Sequence, residues 1–317
     1  MNSIRPLVLA ALRELAQPLM QDIGEKRLYW RMKMCLQVMH ERWLSGGRLP
    51  YRIAEARLAF LCSHVSPNAD ALAWFMQGVC WTVSKFLLHR IETENMLSVW
   101  ALGGGPGTEL LAIGRQLSRI LQELPADSEP PHISFITHEA ETGWLPVFNR
   151  VCDKVNNAVS QRRQFRLDPI PSCIHTPLGS PLPNILPADL YLLSYVMSEN
   201  DTEVARENLR QLLLPVVDAA PDNSLFILTD VIPDGDLPFE PARQFLEQLG
   251  LTIQFPQPHG GSSCYIKGLR NPAEPPSLMA EFYEGIRANG WNLRKDSDVF
   301  WLVASKSVLQ DEFHEFD

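Results

Sequence analysis

Four glycines within five positions, Gly103, Gly104, Gly105 and Gly107, with Pro106 between the last two, are the residues whose spacing most directly suggests chemistry. They follow the apolar run Val99-Trp100-Ala101-Leu102 and precede Thr108-Glu109 and a helical pattern. Backbone without Cβ atoms can turn sharply and approach a ligand closely. The helix that follows would offer free N–H groups to a polar or anionic group such as a carboxylate. The spacing is G-x-G-x-G: Thr108 stands where a nicotinamide-type loop needs its third glycine, and no G-K-[ST] follows for a phosphate-cradling loop. A second candidate is His138-Glu139-Ala140-Glu141, where a carboxylate at a strand end can accept hydrogen bonds from two ribose hydroxyls. Glu139 is placed for that role, with Glu141 the alternative if the strand ends two residues later; a solvated carboxylate near a helix start is the plainer reading. The third is Asp189-Leu190-Tyr191-Leu192-Leu193-Ser194-Tyr195-Val196-Met197-Ser198-Glu199, a strand whose end would carry Ser194, Tyr195, Ser198 and Glu199. Tyr195 could orient a substrate and Glu199 could take a proton, or each could serve packing or capping.

These three groups need strands to hold them, and the chain supplies an alternation of strand and helix from Leu97 onward. Leu97–Leu102, Ile133–His138, Asp189–Ser194 and Ser224–Thr229 are short apolar runs of the kind found in buried parallel strands. Between them, Leu110, Ile113, Leu117, Ile120, Leu121 and Leu124 form one helical stripe, and Trp144, Val147, Phe148, Val151, Cys152, Val155 and Val159 form another. Pro146 is tolerable because it falls in the first turn of the second of these helices. A third strand is expected near Ser172–His175, inside a proline-rich stretch, and either Asp168 or His175-Thr176 would end it beside a bound base. Asn200 with Glu203 predicts a capping box for the next helix. Late strands at Leu251–Phe255, Ser263–Lys267 and Val299–Ala304 suggest an antiparallel hairpin finishing the sheet, and Pro258-His259-Gly260-Gly261 reads as a turn. Successive β-α units specify a doubly wound, mostly parallel α/β sheet, with the ligand at the carboxyl ends of the strands where strand order reverses.

Residues 1–92 read instead as an all-helical cap. Leu28, Met32, Cys35, Leu36 and Met39 recur at helical spacing, Gly46-Gly47 and Pro50 interrupt the run, and Pro67-Asn68 predicts a further turn. The cap precedes a body of residues 93–308 and an acidic tail of residues 309–317. The apolar stretch Ala71–Ile91 is interrupted by Gln77, Ser84, Lys85, His89 and Arg90, which favours a helix packed inside the protein over a membrane span.

The 317 residues carry a formal net charge of −9, with 45% hydrophobic and 21% charged residues, as in ordinary globular proteins. Residues 1–60 hold ten basic against five acidic residues, +5, which leaves −14 for the remainder. That basic face could meet RNA, an acidic partner or the acidic body of the same chain. The six cysteines are scattered without a C-x-x-C pair or a Cys/His cluster, so no metal site is expected. No secretory signal is visible, and a cytoplasmic or nuclear compartment is the expectation.

With Pro106 in its second-to-last position, the glycine loop resembles the first motif of the class I S-adenosylmethionine (SAM) dependent methyltransferases. The resemblance spans roughly residues 95–232. It implies a Rossmann-like, seven-stranded sheet, SAM as cofactor, and cofactor contacts from Gly103, Gly104, Gly105, Gly107, Glu139 and Ser194. The Asp189-led strand resembles the family's fourth motif, which puts Tyr195 and Glu199 beside the transferred methyl group. The family often has an acidic residue two positions before the first glycine; Ala101 stands there instead. That departure keeps a non-catalytic binding or scaffold subunit open as the alternative, while a nicotinamide-dependent oxidoreductase is disfavoured by Pro106 and Thr108. The motifs are also faintly similar to eukaryotic ribosomal-RNA methyltransferases. The basic N-terminal segment makes RNA or a ribonucleoprotein the expected methyl acceptor, slightly ahead of a small molecule or a protein, with the acidic body opposing that lean; no membrane is expected as a partner.

Overall fold

The computed structural model describes residues 4–44, 51–79, 81–122, 124, 128–160, 165–168, 170–177, 180–183, 185–200, 202–231, 239–255, 265–266 and 299–307. The first part of the chain is helical: α1 (Arg5–Ile23), α2 (Glu25–Leu44), α3 (Ala54–Phe60), α4 (Ser66–Trp74) and α5 (Trp81–Glu94). Two wide π turns, Leu61–Val65 and Phe75–Val79, interrupt the series. Pro67 does not make the predicted turn. It sits at the start of α4, where its missing N–H is not needed by that helix. The stretch Ala71–Ile91 is likewise not one helix, because the second π turn splits it between α4 and α5. Among the described residues no single helix is long and apolar enough to cross a membrane.

The sheet begins with β1 (Met96–Leu102) and continues through β2 (His132–Glu139), β3 (Arg166–Leu167), β4 (Ser172–His175), β5 (Leu190–Ser194), β6 (Leu225–Val231), β7 (Thr252–Phe255), β8 (Tyr265–Ile266) and β9 (Val299–Ser305). Interleaved are α6 (Thr108–Ile120), a 3-10 turn at Thr142–Trp144, α7 (Leu145–Ser160), α8 (Glu203–Ala219) and α9 (Phe239–Gln248). The strand order is β3-β2-β1-β5-β6-β9-β7, with β4 extending the pairing along β2 beyond β3 and β8 lying against β9. From β3 and β4 to β6 the pairs are parallel; β9 runs antiparallel to both β6 and β7. The fold is thus a doubly wound, mostly parallel α/β sheet. The late strands are antiparallel as expected, but β9 inserts between β6 and β7 rather than closing the edge.

Alternation along β1 shows how the two faces are covered. Leu97, Val99 and Ala101 join one buried cluster with residues of α1 through α7, whereas Trp100 joins a second with α8 and α9. The N-terminal helices therefore share a core with the sheet: α1 packs on α7 and α4 packs on α6. Sandwiched between α4 and the sheet, α6 is buried along nearly its whole length. The predicted capping box at Asn200 is not formed. Asn200 instead donates to Val196 O at 2.8 Å, and Thr202 caps α8 by accepting from Ala205 N at 3.2 Å. The Gly46-Gly47 and Pro50 break, the Pro258–Gly261 turn and the acidic tail lie outside the described residues.

Candidate active site

Strand order reverses at β1. The chain leaves β1 toward β2 and β4 on one side and returns as β5 on the other. A crevice at the carboxyl ends of such strands is where ligands of this architecture bind. The glycine loop fills the start of that crevice. Gly103, Gly105 and Gly107 have φ of +70°, +39° and +88°, backbone that side-chain-bearing residues rarely adopt. Gly107 N donates to Gly104 O at 2.7 Å, closing the loop, and Gly103 N ties it to His138 O at 2.8 Å. A Cβ on Gly104 would meet Thr137 Oγ1 at 2.2 Å, so this residue too must be glycine.

Glu139 ends β2 facing the loop. Its Oε2 accepts from Gly105 N at 3.0 Å and its Oε1 from Glu141 N at 2.9 Å. A carboxylate has about four acceptor positions, so capacity remains for a further donor beside these backbone N–H groups. Burial raises its pKa, and the backbone N–H donors partly offset that. Glu141 is differently engaged. It accepts from Gly143 N at 3.4 Å at the start of the 3-10 turn and pairs with Arg52 at 3.6 Å. His175 ends β4 in register with Glu139, and a recess beside them is lined by Glu139, Glu141, Thr142, Leu145, Cys173 and His175. Asp168 is excluded from this place. It follows β3, which pairs only with the first residues of β2, and it sits 3.5 Å from His132 at the opposite end of the sheet.

Across the crevice, β5 ends at buried Ser194, and Tyr195 turns the chain with φ of +61°. Left-handed backbone at a tyrosine stores strain that surrounding bonds must hold. Here Asp230, at the end of β6, holds it. Its Oδ2 accepts from Met197 N at 2.7 Å and Ser198 N at 3.0 Å, while Tyr195 N donates to Thr229 O at 2.7 Å. Ser198 Oγ donates to Tyr195 O at 3.1 Å, which gives Ser198 a local task in the turn. Glu199 emerges from this turn. By surface it is exposed, yet enough protein surrounds it that burial, with repulsion from Glu139 and Asp230, raises its pKa to about 8. A carboxyl on the floor of an open cleft has both properties. Asp189, which leads the same strand, is at its far end and braces the fold by binding Arg90 and Ser98.

The N-terminal segment roofs the crevice. Tyr51 packs on Trp144 and Phe60 at ring-centroid distances of 5.0 and 5.4 Å. Burial, with the charges of Glu199 and Glu139, raises the pKa of its hydroxyl well above the usual phenol range. Arg57 Nη1 holds the carbonyl of Tyr51 at 2.5 Å.

No family model matches the chain, and no curated protein matches it in sequence. Solved structures are similar in layout. Magnesium protoporphyrin IX methyltransferase from Synechocystis, solved with bound SAM, is 12% identical with a TM-score of 0.38, over 84% of this chain and 91% of that one. Precorrin-6y C5,15-methyltransferase from Geobacter metallireducens is 12% identical with a TM-score of 0.38, over 71% and 88%. A TehB-like SAM-dependent methyltransferase from Corynebacterium glutamicum is 10% identical with a TM-score of 0.37, again over 71% and 88%. None of the three names mentions ribosomal RNA, and the acceptors that two of them do name are their own.

The crevice thus brings together the four loop glycines, Glu139, Ser194, Tyr195 and Glu199, from segments far apart in sequence. It also contains residues that sequence reading passed over: Asp230, Tyr51, Trp144 and Glu109. Glu109 left a trace. It lies four residues before Ile113 and eight before Leu117, so an acid sits on an apolar helical stripe. Tyr51 left none, because its place depends on how α3 packs. The described cysteines are free, and burial raises the thiol of Cys173 to about 12, which leaves it protonated rather than nucleophilic. Among the described residues no group of three or more His, Cys, Asp or Glu could hold a metal ion.

Proposed function

We propose that this chain is a SAM-dependent methyltransferase, with residues 1–92 as a helical cap over a cofactor-binding body of residues 93–308. The observation that carries the reading is the joint geometry of the loop and Glu139: a side-chain-free cradle at the reversal of strand order, fixed to a carboxylate with acceptor capacity to spare. That pair fits a nucleoside with an amino-acid arm. Gly103, Gly104, Gly105 and Gly107 admit it, Glu139 accepts from its ribose hydroxyls, and Ser194 borders it at the end of β5. Bound there, the cofactor supplies a methyl group activated on a cationic sulfur. The protein's share is alignment, which contributes much of the catalysis in a displacement of this kind. Tyr195, fixed by its strained turn, orients the acceptor. Glu199 in its ionised form takes the proton that an N–H or O–H acceptor sheds.

RNA or a ribonucleoprotein is the acceptor we favour. Support comes from α2, whose outer face exposes Lys26, Arg27 and Lys33 around Trp30, itself 62% exposed. Basic side chains beside an open aromatic ring suit a phosphate backbone with stacked bases. Transfer of labelled methyl from SAM into separated RNA, protein and metabolite pools tests this. Label in RNA supports the acceptor, label elsewhere reassigns it, and no label in any pool contradicts the enzyme.

A further inference from the structure

Glu109 opens α6, where the helix dipole favours a carboxylate, but its side chain is only 2% exposed. Among the described residues its Oε2 has no hydrogen-bond partner, and neither has Oγ1 of fully buried Thr137 on the adjoining strand. Both atoms lie against Gly104. A Cβ there would fall 2.2 Å from Thr137 Oγ1 and 3.3 Å from Glu109 Oε2. From the β5 side, Ser194 hydrogen-bonds to the Glu109 carboxyl. The glycine loop therefore folds over a polar floor on which two buried oxygens are unsatisfied.

Native structures rarely leave such atoms unpaired, and once the carboxyl ionises its oxygen is among the costliest to leave so. No group among the described residues donates to Glu109 Oε2, the nearby Thr137 hydroxyl included. Among the described groups acting on Glu109 none is basic, and the titratable one facing it from a neighbouring element is Glu139, which repels its charge. A buried acid next to another acid, with an open acceptor, is a receptor for a cationic N–H group from outside the chain. Exposed Gly103 and the carbonyl of Ser194, 3.6 Å from where a Gly103 Cβ would be, mark the entrance.

We propose that Glu109 receives the ammonium group at the amino-acid end of the cofactor, losing its own proton to solvent as it does so. The assignment rests on the SAM reading above. In the free protein, burial holds the carboxyl at about 7, so near neutrality a large share carries a proton. Contact with an ammonium group favours the ionised form and drives that proton off. Ala101, fully buried on β1, has no side chain that could share the task.

The test is calorimetry on the intact chain at pH 6.5, in two buffers of different ionisation enthalpy. The probes are S-adenosylhomocysteine and 5′-methylthioadenosine, which keeps the adenosine and the sulfur but lacks the amino-acid end. Release of more protons with the first probe than with the second is the expected result. Glu109→Gln should remove that difference, weaken S-adenosylhomocysteine roughly 10- to 100-fold and leave 5′-methylthioadenosine unchanged. Equal proton release with both probes, or a variant that weakens both alike or neither, overturns the assignment. Should Glu109→Gln fail to fold, the wild-type buffer comparison decides alone. If the wild-type protein binds neither probe, the cofactor reading falls and takes this assignment with it; binding of both without extra proton release overturns the assignment only.

Discussion

The two walls of the crevice are built by different means. On the wall we assign to the cofactor, the glycine loop and Glu139 meet through loop amides, Gly103 N donating to the main-chain His138 O and Gly105 N to the side-chain Glu139 Oε2. On the wall we assign to the acceptor, the turn carrying Tyr195 and Glu199 is held from the next strand by Asp230, and its charges act on Tyr51 of the N-terminal segment. The first wall is conformationally demanding, since three of its glycines have left-handed φ and a fourth, Gly104, leaves no room for a Cβ beside Thr137. The second is assembled from groups that could each be replaced at a graded cost. A cofactor site of the first kind tolerates little change, whereas an acceptor site of the second kind can be retuned around it.

The contrast can be broken most sharply at Gly105. Valine there would need φ of +39° and would push toward Glu139 Oε2 and the Trp144 ring, 3.6 and 3.7 Å from its Cβ. Gly105→Val should abolish SAM binding while circular dichroism shows the fold intact; normal binding would remove the cofactor wall from where we put it. On the opposite wall, Glu199→Gln should cut kcat by about 10²-fold or more, the scale for a lost general base, with SAM affinity unchanged. The sign of its pH dependence follows from the ionised form being the active one. With a pKa near 8, wild-type activity should climb as pH rises through 8 and level off above it, and the variant's profile should lose that limb. A flat wild-type profile would take Glu199 out of proton transfer.

Smaller effects sharpen the comparison. Glu139→Ala should weaken SAM binding by about 1–3 kcal/mol, the range for charge-assisted hydrogen bonds, and unchanged affinity would pass the ribose role to Glu141. Tyr51→Phe removes one hydroxyl from the roof and should raise the acceptor KM a fewfold without moving SAM affinity. Should SAM affinity fall instead, the roof belongs to the cofactor wall.

The same division governs what could be read from the sequence. The loop and the strand ending at Glu139 were legible because their geometry follows from local rules: apolar run, glycines at fixed offsets, an acid at the next strand's end. Ser172–His175 was found despite its prolines, since short β-branched and apolar runs keep their signal. Asn200 was misread as a cap because a side-chain bond back to Val196 O competes for it, a choice made only once the turn is formed. Pro67 was misread as a turn because proline at the start of a helix and proline in a turn look alike without the preceding π turn. Asp230 and Tyr51 owe their roles to strand pairing and helix packing over distances that no spacing encodes. The placement of β9 between β6 and β7 is of the same kind.

If the chain is a SAM-dependent enzyme, the space framed by the glycine loop and Glu139 holds the adenosyl cofactor. Crystals of the full chain grown with SAM test it most directly. The expected result is ligand at the carboxyl ends of β1 and β5, with both ribose hydroxyls within hydrogen-bonding distance of Glu139. A ligand bound elsewhere on the chain, or none at saturating concentration, would contradict it.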